Sequence, residues 1–521
     1  MSPEDISAAI ELRDIMSMEL IIIGGFGLCF SFPGFCMMRW IRKVKCDEAK
    51  PHCARCTSTG RRCDGYLSKP RAGLSLHESC RLTKNGGRDG EARAFDFFRH
   101  VAGPALSGQF DAYFWTNMVT QVSHREPAVR HAVMALSSLY EQFQDMNKSP
   151  LLASINRFAV HHYNSAIKEL LSARDDAVVL LVCALFICVE FLQGNKESAI
   201  EHCRNGILIL NKAAPSLSLR HDYLPLIFCR LSIFPLFFGC SVSSFPYVAG
   251  LDAKAQHHFS KIADAQCSLD VLLSESIRFI RSTEDYRLGT LRHTAVPSSI
   301  REKQDCLERS LSAWFYAFSE FHAAQPPSDS RAVRYHLLQM RYLVTQIWVN
   351  VALEQNETAY DRHLDQFRSI VHIASQVVLP GSRDHSLRPK FICEMGFTPL
   401  LYFVVMKCRS LPTRLTALSL MKELGISREN LWDLNTMYCV GRRLVEMEHD
   451  ITLSEITVQS SLRRYAEVPL EERRIREVML DPGVDIRQDN EGHEVVWTQM
   501  HSMLWKPVGD LVMKSEWMVI S

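Results

Sequence analysis

The 521-residue sequence has no excess of charge of either sign: 59 Lys and Arg stand against 58 Asp and Glu, a formal net charge of +1. A chain whose whole surface binds nucleic acid carries a basic excess, so that class is excluded unless the basic residues are gathered in one place. Glycine (24) and proline (21) are too sparse for a collagen or a low-complexity polymer. Seventeen cysteines over this length fall short of the density of a disulfide scaffold. With 47% apolar residues the chain is not disordered throughout, and its length allows roughly two to four domains with sizeable cores.

Long apolar runs are scarce too. Leu20–Met38 passes nineteen residues without a charge, barely the length of a bilayer span, and Gly24, Gly25, Gly27, Pro33 and Gly34 interrupt it. Acidic residues precede it (Glu4, Asp5, Glu11, Asp14, Glu19), the wrong flank for a signal peptide. Arg39, Arg42, Lys43 and Lys45 follow it, as they would a span with a cytoplasmic C-terminal side. The chain reads as soluble and intracellular, with no membrane partner.

Catalytic signatures are missing as well: there is no P-loop, nucleophile elbow or HExxH. Ile22-Ile23-Gly24-Gly25-Phe26-Gly27 imitates a dinucleotide loop, but Phe30 stands where its third glycine belongs and no βαβ pattern comes after it. The pairs His161-His162 and His257-His258 have no partner at metal-ligand spacing, and adjacent residues face apart on a helix. They read as surface or core histidines, and the chain is expected not to be an enzyme.

What is present is a cluster. Cys29, Cys36, Cys46, Cys53, Cys56 and Cys63 fall within 35 residues, while eleven cysteines lie beyond residue 79, several in apolar helical runs such as Leu180–Leu192. Cys183 and Cys188 in that run read as reduced core thiols, small hydrophobes in effect. The N-terminal group reads Cys46-x6-Cys53-x2-Cys56-x6-Cys63. A C-x2-C pair lets two thiolates of one turn bind the same ion, and flanking thiolates complete the tetrahedral shell that zinc prefers. The spacings do not match the ferredoxin runs of iron–sulfur proteins.

Residues 41–66, IRKVKCDEAKPHCARCTSTGRRCDGY, resemble the fungal binuclear zinc cluster, Zn2Cys6. In that family six cysteines hold two zinc ions, two of the cysteines bridging both metals. Cys46, Cys53, Cys56 and Cys63 match in register, and Pro51 matches the loop proline. Counting back, the first family cysteine falls on Cys36 and the second on Arg39, which cannot ligate zinc. The resemblance therefore implies Cys36 and Cys53 as bridging ligands. One zinc has four thiolates (Cys36, Cys53, Cys56, Cys63) and the other only three. In a site whose binding energy is folding energy, that loss destabilises the module. The uncharged stretch before Arg39 resembles nothing in the family. Residues 20–40 are expected to be a mis-joined exon or translated non-coding sequence.

Residues 36–66 also hold the missing charge. Arg39, Arg42, Lys43, Lys45, Lys50, Arg55, Arg61 and Arg62 face only Asp47, Glu48 and Asp64, so the module nets +5 and the rest of the chain −4. Concentrated basic charge is the footprint of phosphate binding. In the family, a short helix after the second cysteine enters the major groove and reads CGG-type triplets. The positions four and three before the third cysteine are Arg42 and Lys43, with Lys43 the stronger base contact. Lys45, Lys50, Arg61 and Arg62 are expected to meet phosphates, and RKVK doubles as a nuclear-import signal. Double-stranded DNA is the expected partner and the nucleus the expected compartment. A homodimer and contacts with co-regulators or the transcription machinery complete the expectation. The family often places a coiled coil next, but 67–91 has Pro70, Gly73, Gly86, Gly87 and Gly90 and no apolar heptads, so it reads as a flexible linker.

From Arg93 the period is helical. Val129, Val133, Leu136, Tyr140 and Phe143 put one apolar face on a helix starting near Pro127. Leu151–Leu171, Ala177–Leu192, Lys196–Asn211, His336–Gln355, Tyr360–Val378, Thr398–Arg409 and Arg414–Leu424 continue the pattern, with Gly194 a C-cap. YNSAI and ESAI recur about 33 residues apart, a hint of stacked helix pairs. VVWTQM is the one expected short strand. The stretches ARAFDFFRHVAGPALSG, SHREPAVRHAVMALSSLYE, LLVCALFICVEFLQGN, TPLLYFVVMKCRSLPTR and ENLWDL resemble the regulatory domain found behind fungal zinc clusters, over most of 92–450. The expected organisation is an atypical apolar segment (1–35), a Zn2Cys6 DNA-binding module (36–66), a linker (67–91) and a helical regulatory domain (92–521), mainly α overall. The resemblance implies a sequence-specific regulator of RNA polymerase II transcription. The alternative is a helical interaction protein that has lost DNA binding with its missing ligand.

Overall fold

The structure, a computed structural model, describes residues 88–145, 156–173, 175–213, 223–251, 258–324, 329–377, 388–453, 468–481, 483–488, 494–505 and 511–520. The chain divides into two compact units, Met1–Glu91 with Ser149–Phe158, and Ala92–Lys148 with Ala159–Ser521. Of the first, only 88–91 and 156–158 are described. All other described residues belong to the second.

Numbering helices of nine or more residues, the order is α1 Arg88–Phe97, α2 Pro127–Asp145, α3 Arg157–Leu170, α4 Asp176–Gln193, α5 Lys196–Ala213, α6 Tyr223–Leu231, α7 Ile262–Arg287, α8 Ser298–Ala323 and α9 Asp329–Asn350. A 3-10 turn, Glu357–His363, leads into α10 Leu364–Ser375. Then come β1 Phe391–Ile392, α11 Phe397–Lys407, α12 Leu411–Leu424, β2 Arg428–Glu429, β3 Trp432–Asp433 and α13 Leu434–His449. Strands β4 Glu477–Leu480, β5 Asp485–Gln488, β6 Glu494–Trp505 and β7 Leu511–Val519 close the chain. The mainly α architecture stands.

Helix α4 is the axis of the first half. Asp175 caps its start, accepting from the Ala177 N–H at 2.9 Å, and Gly194 ends it at φ +72°, where a side chain would be strained. Nearly every residue between is buried, because both α2 and α5 pack against it. Among the described residues this is the one helix long and apolar enough to cross a membrane, with a mean hydropathy of 2.2 over 18 residues. It is a core helix, 83% buried within the unit. Leu20–Met38 therefore has a competitor by hydropathy; that stretch itself lies outside the described residues. Cys183 on α4 is a free buried thiol, as expected. Cys188 is not: it forms a disulfide with Cys393, 205 residues away, across a Cα separation of 6.2 Å. Helical period finds a buried cysteine but carries no information about a partner that distant. The two repeated motifs sit on α3 and α5, which are tied by the hydrogen bond between Tyr163 and His202 at 2.9 Å.

The expected C-terminal strand is part of more structure than its sequence suggests. Strand β6 pairs antiparallel with β4 and β5 along one edge and with β7 along the other, in registers Leu480↔Met500, Asp485↔Trp497 and Met503↔Met513. One face buries Met500 and Met518 against Val440, Leu444 and Ile475. The helical region expected over 92–521 thus ends in a four-stranded antiparallel sheet. A second, small sheet runs β1-β2-β3, with β1 parallel to β2 and β2 antiparallel to β3.

Buried charge locks these parts together. The Glu357 carboxylate receives Lys407 Nζ at 3.1 Å, Arg409 Nη2 at 3.1 Å and Arg287. Arg409 bridges on to Glu448 at 3.2 Å, which also holds Arg414 at 2.5 Å and the Ile475 N–H at 2.6 Å. Burial alone would raise the Glu357 carboxyl, but Lys407, Arg287 and Arg409 outweigh it and bring it to about 2. Lys407 also moves down, to about 8, because burial and the two neighbouring arginines outweigh its one carboxylate. Glu357→Gln is expected to cost about 3–5 kcal/mol in urea unfolding of the full chain at neutral pH, since it strands three buried cations. A carboxyl depressed from 4.5 contributes stability that is complete above 4.5 and drains away as pH falls toward 2. The gap between wild type and variant is therefore expected to narrow over that window.

Candidate metal centre and buried charge sites

Every site residue read from the sequence lies outside the described residues: Cys36, Cys46, Cys53, Cys56 and Cys63 as metal ligands, and Arg42, Lys43, Lys45, Lys50, Arg61 and Arg62 for DNA. What can be tested is the chemistry of the donors. They are all thiolates, the set that suits zinc in a closed structural site.

The described unit offers no rival metal centre. No group of three or more His, Cys, Asp or Glu able to hold an ion occurs among the described residues. His162 is buried and stacks on His131, with their Nδ1 atoms 2.7 Å apart. Burial, followed by His131 and His161, lowers its pKa to about 4, so it is neutral near pH 7. His161 and His258 are exposed, and His257 lies outside the described residues. The surface-or-core reading of the described histidines holds.

Buried polar groups are instead spent on one another. Glu190 on α4 accepts from Tyr163 Oη at 3.0 Å and Asn195 Nδ2 at 2.9 Å. His202 completes this set, its pKa driven to about 4 by burial. Such a network specifies helix packing.

A different arrangement surrounds β1 and β2. Their parallel pairing puts Ile392 opposite Glu429, and Glu429 then caps α11. Its carboxylate accepts from Gly396 N–H at 2.9 Å, Thr398 N–H at 3.2 Å and Thr398 Oγ1 at 2.6 Å. Two residues past β1, Glu394 is buried as well. Together they line a cavity of about 490 Å³. Sequence reading missed both: Glu429 lies within one two-residue strand and Glu394 two residues past another, and neither sits at a periodic or motif position.

Comparison with known proteins places the sequence features. Residues 41–73 match the fungal Zn(2)-Cys(6) binuclear cluster domain, a zinc-binding domain. The match takes in Cys46, Cys53, Cys56 and Cys63 and begins after Cys36 and Arg39. The chain is 23% identical over 397 residues to the aspercryptin biosynthesis cluster-specific transcription regulator atnN of Emericella nidulans, covering 66% of this chain and 63% of that protein. It is 30% identical over 225 residues to the transcription regulator lscL of Purpureocillium lilacinum, covering 38% of this chain and 54% of the relative. A shorter match, 25% over 127 residues, joins it to an uncharacterized transcriptional regulatory protein of Schizosaccharomyces pombe, over 20% of this chain and 23% of that one. The chain thus spans about three-fifths and about half the length of the first two relatives. No solved structure matches it. With a zinc-cluster domain match at residues 41–73 and fungal transcription regulators as relatives of its longer part, the chain is similar to the Zn2Cys6 transcription factors.

Proposed function

We propose that the chain is a nuclear, sequence-specific DNA-binding regulator of RNA polymerase II transcription that reads CGG-type triplets through its zinc cluster. The carrying observation is the cysteine register inside residues 41–73, interleaved with the basic residues of a +5 module. Cys36, Cys53, Cys56 and Cys63 hold one zinc; Cys36, Cys46 and Cys53 hold the other. Arg42 and Lys43 approach base edges, where a Lys or Arg on guanine O6 and N7 is the commonest specific contact. Lys45, Lys50, Arg61 and Arg62 neutralise phosphates and fix the register on the duplex. The helical unit serves as the regulatory region, working as a homodimer or through co-regulators. No step of this function is catalytic, in keeping with relatives named as transcription regulators.

A second reading is favoured by one residue. Arg39 occupies a ligand position, and the domain match starts at residue 41, just past it. A cluster short of a thiolate leaves a helical interaction protein that acts through partners or interferes with related factors. The first reading is then recovered if residues 20–40 replace a genuine cluster start. Transcript sequence across this junction decides that point: a spliced message encoding Leu20–Met38 unchanged removes the mis-joined exon.

Metal analysis separates the two readings. Two zincs per full-length chain, with a salt-sensitive footprint over a CGG-containing duplex, is the result expected of the regulator. Fewer than two zincs and no footprint favours the interaction protein. On a cognate duplex, Lys43→Ala is expected to cost about 1–3 kcal/mol and relax specificity, while Lys50→Ala weakens all sequences alike and lowers the salt slope by about 1. Equal losses for Lys43→Ala on cognate and random DNA would remove its base-reading role.

A further inference from the structure

The cavity beside β1 and β2 is apolar over much of its wall, with Val101, Leu337, Ile392, Phe397 and Leu424 among its lining. Its volume of about 490 Å³ is in the range of small-molecule sites, where an apolar body is held by a few placed polar groups. The two carboxylates in its wall differ. Glu429 is fully occupied as the cap of α11. Glu394 is not. One of its oxygens accepts from the Gln109 N–H at 2.6 Å, and the other has no hydrogen-bond partner although the side chain is 93% buried.

The nearest cation does not resolve this. Arg341 Nη2 stands 3.8 Å from that oxygen and already donates to the Met395 carbonyl. The same guanidinium lies 3.8 Å from Asp270 and covers the Phe110 ring. Arg230 is taken by Asp111 and by Asp270 at 3.1 Å, and Arg388 in the cavity wall donates to the Glu423 carbonyl. Asp111, Asp270 and Glu394 therefore share Arg230 and Arg341, and negative charge is in excess. Burial drives Glu394 up to about 7 and Asp270 up to about 6, against the pull of those arginines. A buried acceptor with an unmatched charge is costly unless something completes it.

Its position is held from several sides. Gly108 lies at φ +51°, and a Cβ there would overlap the Glu394 carboxylate, so only glycine lets the Gln109 amide approach. Cys393, the preceding residue, is bonded to Cys188 on α4, and Arg341 fixes the following carbonyl. A carboxylate restrained in this way is ready to bind without reordering.

We propose that this cavity binds a small, largely apolar molecule carrying one protonated amine, with Glu394 receiving the ammonium and the apolar wall holding the body. A neutral molecule would leave the charge uncompleted, and an anion would add to it. The site belongs to the helical unit and is independent of the DNA-reading proposal, so an incomplete zinc cluster does not affect its test.

The test is calorimetric titration of the full-length chain, without DNA, using three amines: tryptamine, phenethylamine and 1-adamantylamine. The neutral comparator is indole-3-ethanol and the anionic one indole-3-propionate. At least one amine is expected to bind, and the best of them at least about tenfold more tightly than either comparator, the worth of a charge-assisted hydrogen bond. Glu394→Gln is expected to remove that preference while the melting temperature without probe stays the same or rises. Ala105→Phe, a half-buried wall position, is expected to block the amine by filling the cavity and serves as the second variant should the first fail to fold. No heat from any of the three amines at millimolar concentration overturns the proposal. So does equal affinity for amine and neutral probe, or unchanged amine binding in a folded variant.

Discussion

The second half of the helical unit depends on one carboxylate. Glu357 sits on a single 3-10 turn, yet it receives charge from the end of α7, the end of α11 and the turn into α12. Through Arg409 it is coupled to Glu448 at the end of α13, whose oxygen also holds the Ile475 amide. Burying so many ions is expensive, and a well-packed apolar cluster of equal volume can be as stable. What the ions add is direction. Each accepts only a fixed set of donors, so helices α7, α11, α12 and α13 have one arrangement in which all are met. The segment leading into the sheet is drawn into the same lock: Glu471 accepts the Glu357 and Thr358 amides, both at 2.8 Å, and Arg474 grips Asp361 through two bonds of 2.8 Å.

The helices were legible because their burial follows their period. Val129, Val133, Leu136 and Tyr140 are all essentially inaccessible on α2, as one apolar face requires, and Gly194 takes the left-handed conformation of a helix stop. Boundaries differ in places: the expected 360–378 helix begins as a 3-10 turn and becomes α-helical at Leu364. Of the C-terminal sheet only β6 was legible, through VVWTQM, while β4, β5 and β7 were not. The buried face of β6 carries Thr498, Met500 and Ser502, while Trp497 and Met503 alternate on the other. Gln499 and His501 share that other face, so both faces mix polar and apolar residues and the pattern marks neither the full length of the strand nor its partners. The candidate sites divide the same way. A zinc cluster is written in short-range spacing and is visible in the sequence. The carboxylate pair of the cavity is assembled from a loop, two two-residue strands and a disulfide spanning 205 residues, none of which leaves a local mark.

The charge balance of the whole chain now has a physical reading. A +5 module and a −4 remainder sum to near neutrality, but they answer to different solvents. On the proposed function the basic residues of the N-terminal module exchange small cations for phosphates, an effect that falls with salt. Five carboxyl groups of the helical unit, Glu357, Glu394, Glu429, Glu448 and Asp270, are withdrawn from water. Buried charge is screened weakly by salt. Ionic strength should therefore act on DNA affinity and leave the helical packing almost untouched.

That separation bears on Arg39. In a zinc module the metal supplies much of the folding free energy, so losing one thiolate weakens the whole small domain. The stability of the helical unit comes from apolar burial around α4 and from the ion lock around Glu357, and no metal-holding group occurs among its described residues. A defect in the cluster thus removes one property of the chain without removing the other. A protein with a damaged cluster would keep its packed core and whatever its cavity and surface recognise. The interaction-protein reading is physically coherent for this reason, and measuring zinc content alone does not test the fold of the larger part.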